Sequence, residues 1–531
     1  MSATLDHLAE GRRPWFLLVL LCLALYLPGI VTLPVVDRDE ARNKKPVGIY
    51  WLQAASVAIF SNAGAPIVWP YRLVSLLGAL ASVLLLFHFG SQVFDRRTAL
   101  LGAAIAATSL DAVFEAHIAT TDAVLSACAV AVQGALGLVF LGRRHGDLVA
   151  WHNAAWFWVA LAVGVLIKGP VVPLIAALTI LVLVTWERRA AWLLELRPLL
   201  GIPVLLILVL PWFILIERAT GGAFLREALG HDLLGKVAGG QEAHGAPPGY
   251  YLALLSVTFW PGSLFVGLGC FWAWRHRRLP ATRFLVAWII PFWLLLELVP
   301  TKLPHYALPL YPALALVCAR AIIAYDEEGF LPRSAWWVRL PALIWSLVTI
   351  GVGFALLGLA LKTDASFLAK TAAVAVASAS AALVWHIWRP APLRIDVTAP
   401  LVSVCAALFI TVPGIALVLP GLSNLWLSAE ASHVIRQYRQ DNDAIAAIGY
   451  AEPSFVFLNG TKTALLTGSG VDSFLAAQSH ALVLVADPDV PGFVHAAAVH
   501  GRHQFALALV DGINYSNGHH MHMTLYRVEP S

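Results

Sequence analysis

Long apolar segments follow one another through most of this sequence and restrict what it can fold into. A hydropathy window of about 19 residues identifies about thirteen of them. Hydrophobic residues make up 59% of the chain and charged residues only 12%, which is more apolar surface than a soluble domain of this length can bury. We therefore predict a polytopic α-helical membrane protein with about thirteen transmembrane helices. The segments are Trp15–Ile30, Tyr71–Phe87, Ala99–Phe114, Ala123–Leu141, Ala154–Ile167, Val171–Trp186, Leu199–Ile216, Tyr250–Trp274, Phe284–Val299, Tyr306–Ile323, Leu340–Leu361, Ala372–Trp388 and Pro400–Leu419.

The basic residues are distributed as expected for a membrane protein whose N-terminus is cytoplasmic. Arginine pairs and clusters recur at nearly every second loop, which is the positive-inside pattern. The lysines fall in the opposite loops, and an odd number of spans then places the C-terminus outside. The inward arginines are Arg12, Arg13, Arg96, Arg97, Arg143, Arg144, Arg188, Arg189, Arg275, Arg277, Arg278, Arg389 and Arg394.

Net charge and cysteine usage exclude two other classes of protein. The formal net charge is +4, but the bases lie between apolar segments instead of along one polar face, so we expect no nucleic-acid partner. All five cysteines lie within predicted spans and lack CxxC spacing, which favours small core residues over disulfides or metal ligands.

We expect the first apolar segment to remain as an anchor, because it is too long for a cleaved signal.

The highest density of charge directly follows the first apolar segment. Residues Asp37–Lys45 hold three acids and four bases, and an aromatic amphipathic segment, Pro46–Phe60, comes next. Charges beside hydrocarbon are costly unless they face water, a partner or a reacting group. The stretch is therefore either a functional site or a solvated loop that its charges keep out of the bilayer. The neighbouring segment, which is suited to the membrane interface, favours the functional interpretation.

Other outward loops also carry acids, histidines and lysines, whereas the inward loops are short and basic. This difference in residue type favours a shared site on the outer face over loops that are merely polar. The residues are Glu115, His117, Asp122, Lys168, Lys302, His305 and Tyr306. Lys168-Gly169-Pro170 is either a break within one helix pair or a tight turn between two helices.

The long outward segment Arg218–Gly249 has no apolar run of spanning length. Gly239-Gly240 and the sequence Gly245–Gly249 predict two bends, so we expect a short amphipathic helix and a flexible turn that covers a site. His244 is either a metal ligand or a hydrogen-bond donor. Because no second histidine follows at i+4, the hydrogen-bonding role is favoured.

The composition changes after Pro420. From Glu430 to Ser531, polar helical stretches alternate with short β-like runs and turns, which predicts a small α/β domain outside the membrane. We place the membrane domain at residues 1–425 and this second domain at residues 426–531. Near its end His519, His520 and His522 lie in a polar turn and are expected to be surface residues, not a metal site. The predicted strands are Ala444–Tyr450, Ala481–Ala486, Phe505–Val510 and His522–Val528.

Several short motifs occur in a fixed order along the membrane domain. The set resembles the membrane glycosyltransferases of the GT-C type, with a nearest branch in the bacterial family 39/83 enzymes that include the lipid A aminoarabinose transferase. The resemblance covers the predicted membrane domain and extends loosely to the tail. The motifs are Asp39-Glu40, Lys45-Pro46, Lys168-Gly169-Pro170, Pro211-Trp212, Lys302-Leu303-Pro304-His305-Tyr306 and Pro309-Leu310-Tyr311-Pro312.

The resemblance implies inverting transfer of a hexose or pentose from a polyprenyl-phosphate donor. The acceptor would be lipid A or another cell-envelope glycan at the periplasmic face of the bacterial inner membrane. The family carries an acidic dyad in its first outer loop, which makes Asp39 and Glu40 the candidate catalytic residues. Lys45 and Tyr306 match residues that contact the carrier phosphate, and Asp122 matches an aspartate near the start of the fourth span.

The residues themselves agree with that chemistry. A departing lipid phosphate carries two negative charges, which lysine ammonium groups stabilise where little water screens them. A carboxylate such as Asp39 can position or deprotonate an acceptor. Asp37, two residues away, is a rival that only the family motif disfavours. The remaining candidate substrate-binding residues are Lys168, His244, Lys302 and His305.

Two departures from the family pattern affect the cofactor and the acceptor. Where aminoarabinose transferases place a metal-binding glutamate before the KP lysine, this chain has Lys44, so we predict no metal and no other cofactor. The loop before Lys45-Pro46 also lacks the interfacial helices that shape the acceptor entrance in the family.

Two other classes of protein therefore stay open. The shortened loop favours a non-catalytic assembly partner. Many spans with intramembrane charges also suit a lipid or glycan transporter or flippase, but the sequence shows no inverted repeat and its polar groups lie on one face of the membrane.

Overall fold

Helices make up most of the computed structural model, which describes residues 2–34, 46–62, 64–145, 151–226, 245–328, 335–363, 365–389, 398–514 and 519–530. Short 3₁₀ or π turns interrupt the helices, among them Pro304–Leu310 and Gly414–Val418. The helices before the C-terminal domain are α1 Ser2–Ala9, α2 Arg13–Tyr26, α3 Pro28–Thr32, α4 Gly48–Phe60, α5 Trp69–Val93, α6 Arg96–Thr108, α7 Leu110–His117, α8 Asp122–His145, α9 Trp151–Lys168, α10 Val171–Glu187, α11 Pro198–Ala219, α12 Ala223–Arg226, α13 Tyr250–Thr258, α14 Val266–Arg275, α15 Pro280–Leu298, α16 Tyr311–Glu328, α17 Trp336–Lys362, α18 Phe367–Trp388 and α19 Thr398–Pro413.

The helical part is a multi-pass membrane protein, as predicted. Within the described residues, nine helices are long and apolar enough to cross a membrane, and eleven if each of two bent pairs counts as one span. The bends are 59° between α6 and α7 and 116° between α13 and the helix Gly262–Arg275. The other two predicted segments fall on α9 and α10, which have 18 and 17 residues. The predicted number of thirteen spans is not confirmed.

Two spans form the centre of the bundle. α8 and the span Pro304–Glu327 are almost wholly enclosed, whereas α11 exposes nearly all of its apolar surface. Close packing in the centre depends on small residues: a Cβ on Gly134 of α8 would lie 2.2 Å from the Phe89 ring of α5. Lipid provides no hydrophobic drive for association, so such close contact is what holds these helices together.

The C-terminal domain is a five-stranded sheet covered by helices on both faces. The strand order is β2-β1-β3-β5-β4, with β1–β3 parallel and β5 and β4 antiparallel. Leu482 and Leu484 of β3 pack into one core and Val483 and Val485 into the other. Because both faces of this central strand are buried, its sequence is continuously apolar. Its elements are α20 Leu427–Tyr438, β1 Ala444–Ile448, α21 Pro453–Asn459, β2 Ala464–Leu466, α22 Ser469–Ala477, β3 Ala481–Ala486, α23 Val490–Val499, β4 Arg502–Asn514 and β5 His519–Pro530.

The predicted small α/β domain is confirmed, with two corrections to its strands. β2 was missed because it has only three residues. The expected polar turn is wrong at His519 and His520, since β5 begins three residues before the predicted strand start at His522 and pairs with β4. The three histidines are exposed, as predicted. The long antiparallel ladder extends the strand through residues whose polarity suggested a turn.

The C-terminal domain contacts the membrane bundle at the start of α5. Phe457 of α21 packs edge-to-face on Tyr71 at the start of α5, with 5.8 Å between ring centres. A Cβ on Gly512 of β4 would lie 2.8 Å from the carbonyl oxygen of Asn424, just before α20. The first contact places the domain at the end of the bundle where α5 begins, and the second packs the β4–β5 hairpin on the turn that leads into the domain.

Candidate functional site

Five charged or polar side chains meet where several helix ends come together. Asp122 begins α8, Lys168 ends α9, and Glu115 lies near the end of α7. His305 and Tyr306 come from the 3₁₀ turn before α16. We call these five residues the ion cluster.

Short contacts connect the ion cluster. The ammonium of Lys168 donates a hydrogen bond to Asp122 Oδ1 at 2.6 Å. His305 lies between the two acids, with Nδ1 3.7 Å from Glu115 Oε1 and Nε2 3.9 Å from Asp122 Oδ2. The Lys168 ammonium also lies 5.2 Å from the centre of the Tyr306 ring, within range of a cation–π interaction.

The acids of the cluster are removed from solvent. The side chain of Glu115 is fully buried, and those of Asp122 and Lys168 are 5% and 18% exposed. A buried ion is tolerated only when partners compensate for its lost hydration. The Thr120 hydroxyl donates to Glu115 at 2.5 Å and the Thr121 hydroxyl to Asp122 at 3.1 Å. Asp122 also begins a helix, where the helix dipole favours an acid.

Buried polar side chains hold the turn that carries these acids. Gln53 of α4 donates to the carbonyl of Ala119 at 3.4 Å, and Ser75 of α5 donates to the carbonyl of Thr120 at 3.2 Å. On the opposite side Gly169 follows α9 with φ +62° and α10 begins after Pro170. Lys168-Gly169-Pro170 is thus a tight turn between two helices, because glycine adopts the left-handed region that the turn requires.

The two ends of the first outer loop lie against this part of the bundle. Arg72 of α5 is wholly buried and donates to the carbonyls of Leu33 at 2.6 Å and Pro34 at 2.7 Å, the last residues before the loop. At the other end, a Cβ on Gly48 would lie 2.7 Å from the carbonyl oxygen of Leu166, close to Lys168. Residues 35–45 lie outside the described residues.

Lys302 occupies a different environment. Its ammonium donates to the carbonyls of Leu296, Glu297 and Val299 at 2.9, 2.8 and 2.8 Å, which uses all three N–H groups. The ring of Tyr251 lies 5.6 Å away. Burial lowers the pKa of Lys302, and the Glu297 carboxylate opposes that shift. These contacts make Lys302 the cap of the carboxyl end of α15.

The candidate residues therefore divide into three groups. The structure brings Asp122, Lys168, His305 and Tyr306 together, and it gives Lys302 main-chain partners. Their roles in substrate binding stay predictions. Gly245 bridges Thr301, immediately after His244. The candidates that fall outside the described residues are Asp39, Glu40, Lys45 and His244.

Sequence reasoning left two buried charges out of the candidate set. Glu115 was noted only as part of a polar loop, although it accepts from Thr120 and faces His305. Arg72 lies within the second apolar segment and was passed over. A charge inside an apolar segment is itself a signal of function, and that signal was available for Arg72; Glu115 directly follows the third segment, where the same cost of charge beside hydrocarbon applies.

The sequence of this chain is similar to those of known glycosyl- and mannosyltransferases. Residues 44–215 match the family described as dolichyl-phosphate-mannose-protein mannosyltransferase. The chain is 29% identical over 290 residues to an undecaprenyl phosphate-alpha-4-amino-4-deoxy-L-arabinose arabinosyl transferase of Pseudomonas paraeruginosa, covering 53% of this chain and 50% of that protein. A transferase with the same description from Aeromonas hydrophila is 26% identical over 323 residues, covering 59% and 56%. The chain thus spans about half the length of the curated relatives it matches.

The solved structures agree over nearly the whole chain. ArnT from Cupriavidus metallidurans bound to undecaprenyl phosphate superposes with a TM-score of 0.71 at 16% identity, covering 98% of both chains. The fold is of the GT-C type. The apo form of the same protein gives a TM-score of 0.69. The resemblance to aminoarabinose transferases and the helical fold class with a small C-terminal domain are therefore confirmed.

Proposed function

We propose that this chain transfers a sugar from a polyprenyl-phosphate donor to a lipid or glycan acceptor. The observation that carries the proposal is the ion cluster, in which Asp122 holds the Lys168 ammonium close to the second end of the first outer loop. The relatives with sequence similarity are described as using undecaprenyl phosphate-linked aminoarabinose, which supports a pentosyl donor of that type. The acceptor in the proposal is lipid A or another cell-envelope glycan.

The proposed reaction is an inverting displacement at the anomeric carbon. An acceptor oxygen attacks this carbon, and the bond between the carbon and the carrier phosphate oxygen breaks. The phosphate leaves with the bonding electron pair and gains a negative charge. Asp39, paired with Glu40, takes the proton when the acceptor is a hydroxyl group. Lys45 lies beside it in the chain and stabilises the departing phosphate.

The ion cluster prepares the phosphate site. Lys168 makes one hydrogen bond, to Asp122, among its described contacts, so two of its three N–H groups can reach a phosphate oxygen. Asp122 fixes the position of the ammonium and itself accepts a hydrogen bond from Thr121. His305 lies between Asp122 and Glu115. Charged donors positioned before the reaction stabilise developing charge without reorganising during it.

The same proposal assigns a location and a cofactor requirement. The arginine-rich loops face the cytoplasm, so the site and the C-terminal domain face the periplasm of a bacterial inner membrane. The reaction needs no metal in this proposal, because Lys44 stands where aminoarabinose transferases have a metal-binding glutamate. The lysines instead supply the positive charge.

The test is transfer by purified protein in detergent from synthetic undecaprenyl phosphate-aminoarabinose. We expect Asp39→Asn to lower turnover by ~10²–10⁴-fold, the usual contribution of a positioned base, while Asp37→Asn changes it little. A product formed in detergent, where no membrane separates two compartments, also distinguishes transfer from flipping. Full turnover in both variants would exclude Asp37 and Asp39 as the base.

A second measurement identifies the acceptor. Mass spectrometry of envelope lipids from a deletion strain should show an accumulated carrier-linked sugar and an unmodified acceptor. A lipid profile that matches the parent strain would contradict the proposal.

A further inference from the structure

Three potential metal ligands lie together on the β4–β5 hairpin of the C-terminal domain. In the antiparallel register Asp511 pairs with His522 and Ile513 with His520. Alternate residues of a strand point to the same face, so His520 and His522 project from one side of β5. Asp511 projects from the same side of β4. We call these three residues the hairpin cluster.

The donor atoms of the hairpin cluster converge. Asp511 Oδ1 lies 2.9 Å from His522 Nδ1 and 3.4 Å from His520 Nδ1. One ligand atom from each residue lies within 4.8 Å of both others. Ligand atoms around tetrahedral Zn²⁺ at bond lengths of about 2.0–2.1 Å are separated by about 3.4 Å. The two distances from Asp511 to the histidines are therefore near the required value. The distance between the two histidines can close by side-chain rotation, since all three side chains are more than half exposed.

The backbone under the hairpin cluster is held in place. Gly512 packs against the Asn424 carbonyl, and the amide of Asn514 donates to Glu452 at 2.7 Å. On the other strand Met521 and Met523 face the domain interior. Ligands on a fixed hairpin lose little freedom when they bind an ion, which favours binding.

We propose that the hairpin cluster binds one divalent transition-metal ion, with Zn²⁺ as the representative. Two imidazoles and one carboxylate form a borderline donor set that suits Zn²⁺ and disfavours Mg²⁺ or Ca²⁺, which prefer oxygen ligands. Three protein ligands leave one tetrahedral position for water. The site is independent of the proposed transfer reaction, because none of its residues belongs to the ion cluster or the first outer loop.

A second histidine–aspartate pair in the same domain provides a matched control. His500 Nε2 lies 3.2 Å from Asp472 Oδ1, and both side chains are solvent-exposed to some extent. Within the described residues this pair belongs to no group of three ligands. The pair has one histidine and one carboxylate in contact, as the hairpin cluster does, but it lacks the third metal-binding side chain.

The experiment is a zinc titration of the full-length protein in detergent, with any polyhistidine tag removed and a chromophoric chelator as competitor. We expect one Zn²⁺ per chain with micromolar affinity, and an affinity at least tenfold lower in Asp511→Asn and His522→Gln. Asp472→Asn and His500→Gln should bind as the wild type does. Because none of these four side chains is buried, circular dichroism should show the same fold in every variant.

Coordination geometry supplies an independent readout. Co²⁺ in place of Zn²⁺ should give the intense visible absorption of a tetrahedral site in the wild type and lose it in His520→Gln. No stoichiometric binding below 100 μM Zn²⁺, or equal affinity in the hairpin and control variants, would overturn the proposal.

Discussion

The ion cluster and the hairpin cluster use the same kinds of side chain in opposite environments. In the bundle, His305 lies between Glu115 and Asp122, which are almost fully buried. In the C-terminal domain, His520 and His522 flank Asp511 with all three more than half exposed. Water hydrogen-bonds the exposed side chains of the hairpin cluster when no ligand is bound, whereas the buried side chains of the ion cluster depend on protein partners.

The difference in burial predicts a difference in what substitution costs. Removing one partner of a buried ion pair typically costs about 3–5 kcal/mol, because the other charge stays buried without compensation. An exposed pair contributes about 0–1 kcal/mol. The predictions below test this contrast, starting with the largest effect.

Asp122→Asn should have the largest effect on the bundle. It leaves the Lys168 ammonium without its 2.6 Å carboxylate partner, which should lower stability by about 3 kcal/mol. Because the ammonium is then no longer held for the departing phosphate, turnover should also fall by ~10²-fold, the usual effect of losing one positioned donor. Turnover with the synthetic donor measures this loss. Asp472→Asn, which removes the acid of an exposed pair, is the control and should change turnover less than twofold. Similar turnover in the two variants would remove the distinction between buried and exposed acids.

The two lysines should separate binding from stability. We expect Lys168→Met to raise the donor KM by about tenfold, as for loss of a charge-assisted contact. Lys302→Met should lower the melting temperature while the donor KM stays near wild type, because three carbonyls at the carboxyl end of α15 lose their donor. Thermal unfolding measures the melting temperature of each variant, and donor titration measures its KM. A stable Lys302→Met protein with a raised KM would instead support the sequence-based assignment of Lys302 as a phosphate contact.

His305→Gln should have an intermediate effect. The imidazole contacts Glu115 and Asp122 at 3.7 and 3.9 Å, longer than a hydrogen bond, so we expect about 1 kcal/mol and a roughly fivefold loss of turnover. His500→Gln in the exposed pair is the control. A loss as large as that of Asp122→Asn would show that His305 itself contacts the reacting groups.

The smallest effect concerns the contact between the two regions. The rings of Tyr71 and Phe457 join the bundle to the C-terminal domain, and such edge-to-face pairs contribute about 0.5–1.5 kcal/mol. A cycle of Tyr71→Ala, Phe457→Ala and the double variant should show a coupling of that size in thermal unfolding. Strictly additive shifts would show that the pair does not link the two regions.

Much of the membrane part was accessible from the sequence. Hydropathy located the apolar helices because each backbone polar group in lipid must be satisfied within its own helix. The number of spans is not confirmed: among the described residues, eleven of the predicted segments match a span when each bent pair, α6–α7 and α13–α14, counts as one, and α9 and α10 are not among those eleven. Hydropathy sums side-chain transfer energies and carries no information about bends, so it does not decide whether a bent pair is one span.

The residue types of the outward loops, together with the family resemblance, predicted that Asp122, Lys168, His305 and Tyr306 belong to one site on the outer face. They could not indicate which lysine would face the other residues of that site. Lys302 belongs to the same motif as His305 but turns to the carbonyls at the end of α15. Side-chain direction depends on the helix end that lies within reach, and this is a tertiary property.

The sequence by itself determined the membrane location, the GT-C resemblance and the presence of a small α/β domain, because these depend on local composition, period and motif order. Tertiary structure decided which distant charges meet. Glu115 joins His305 across 190 residues, and Asp511 joins His522 only because the hairpin register pairs them. Ion pairing falls off within a few ångströms, and only the packed chain sets distances on that scale.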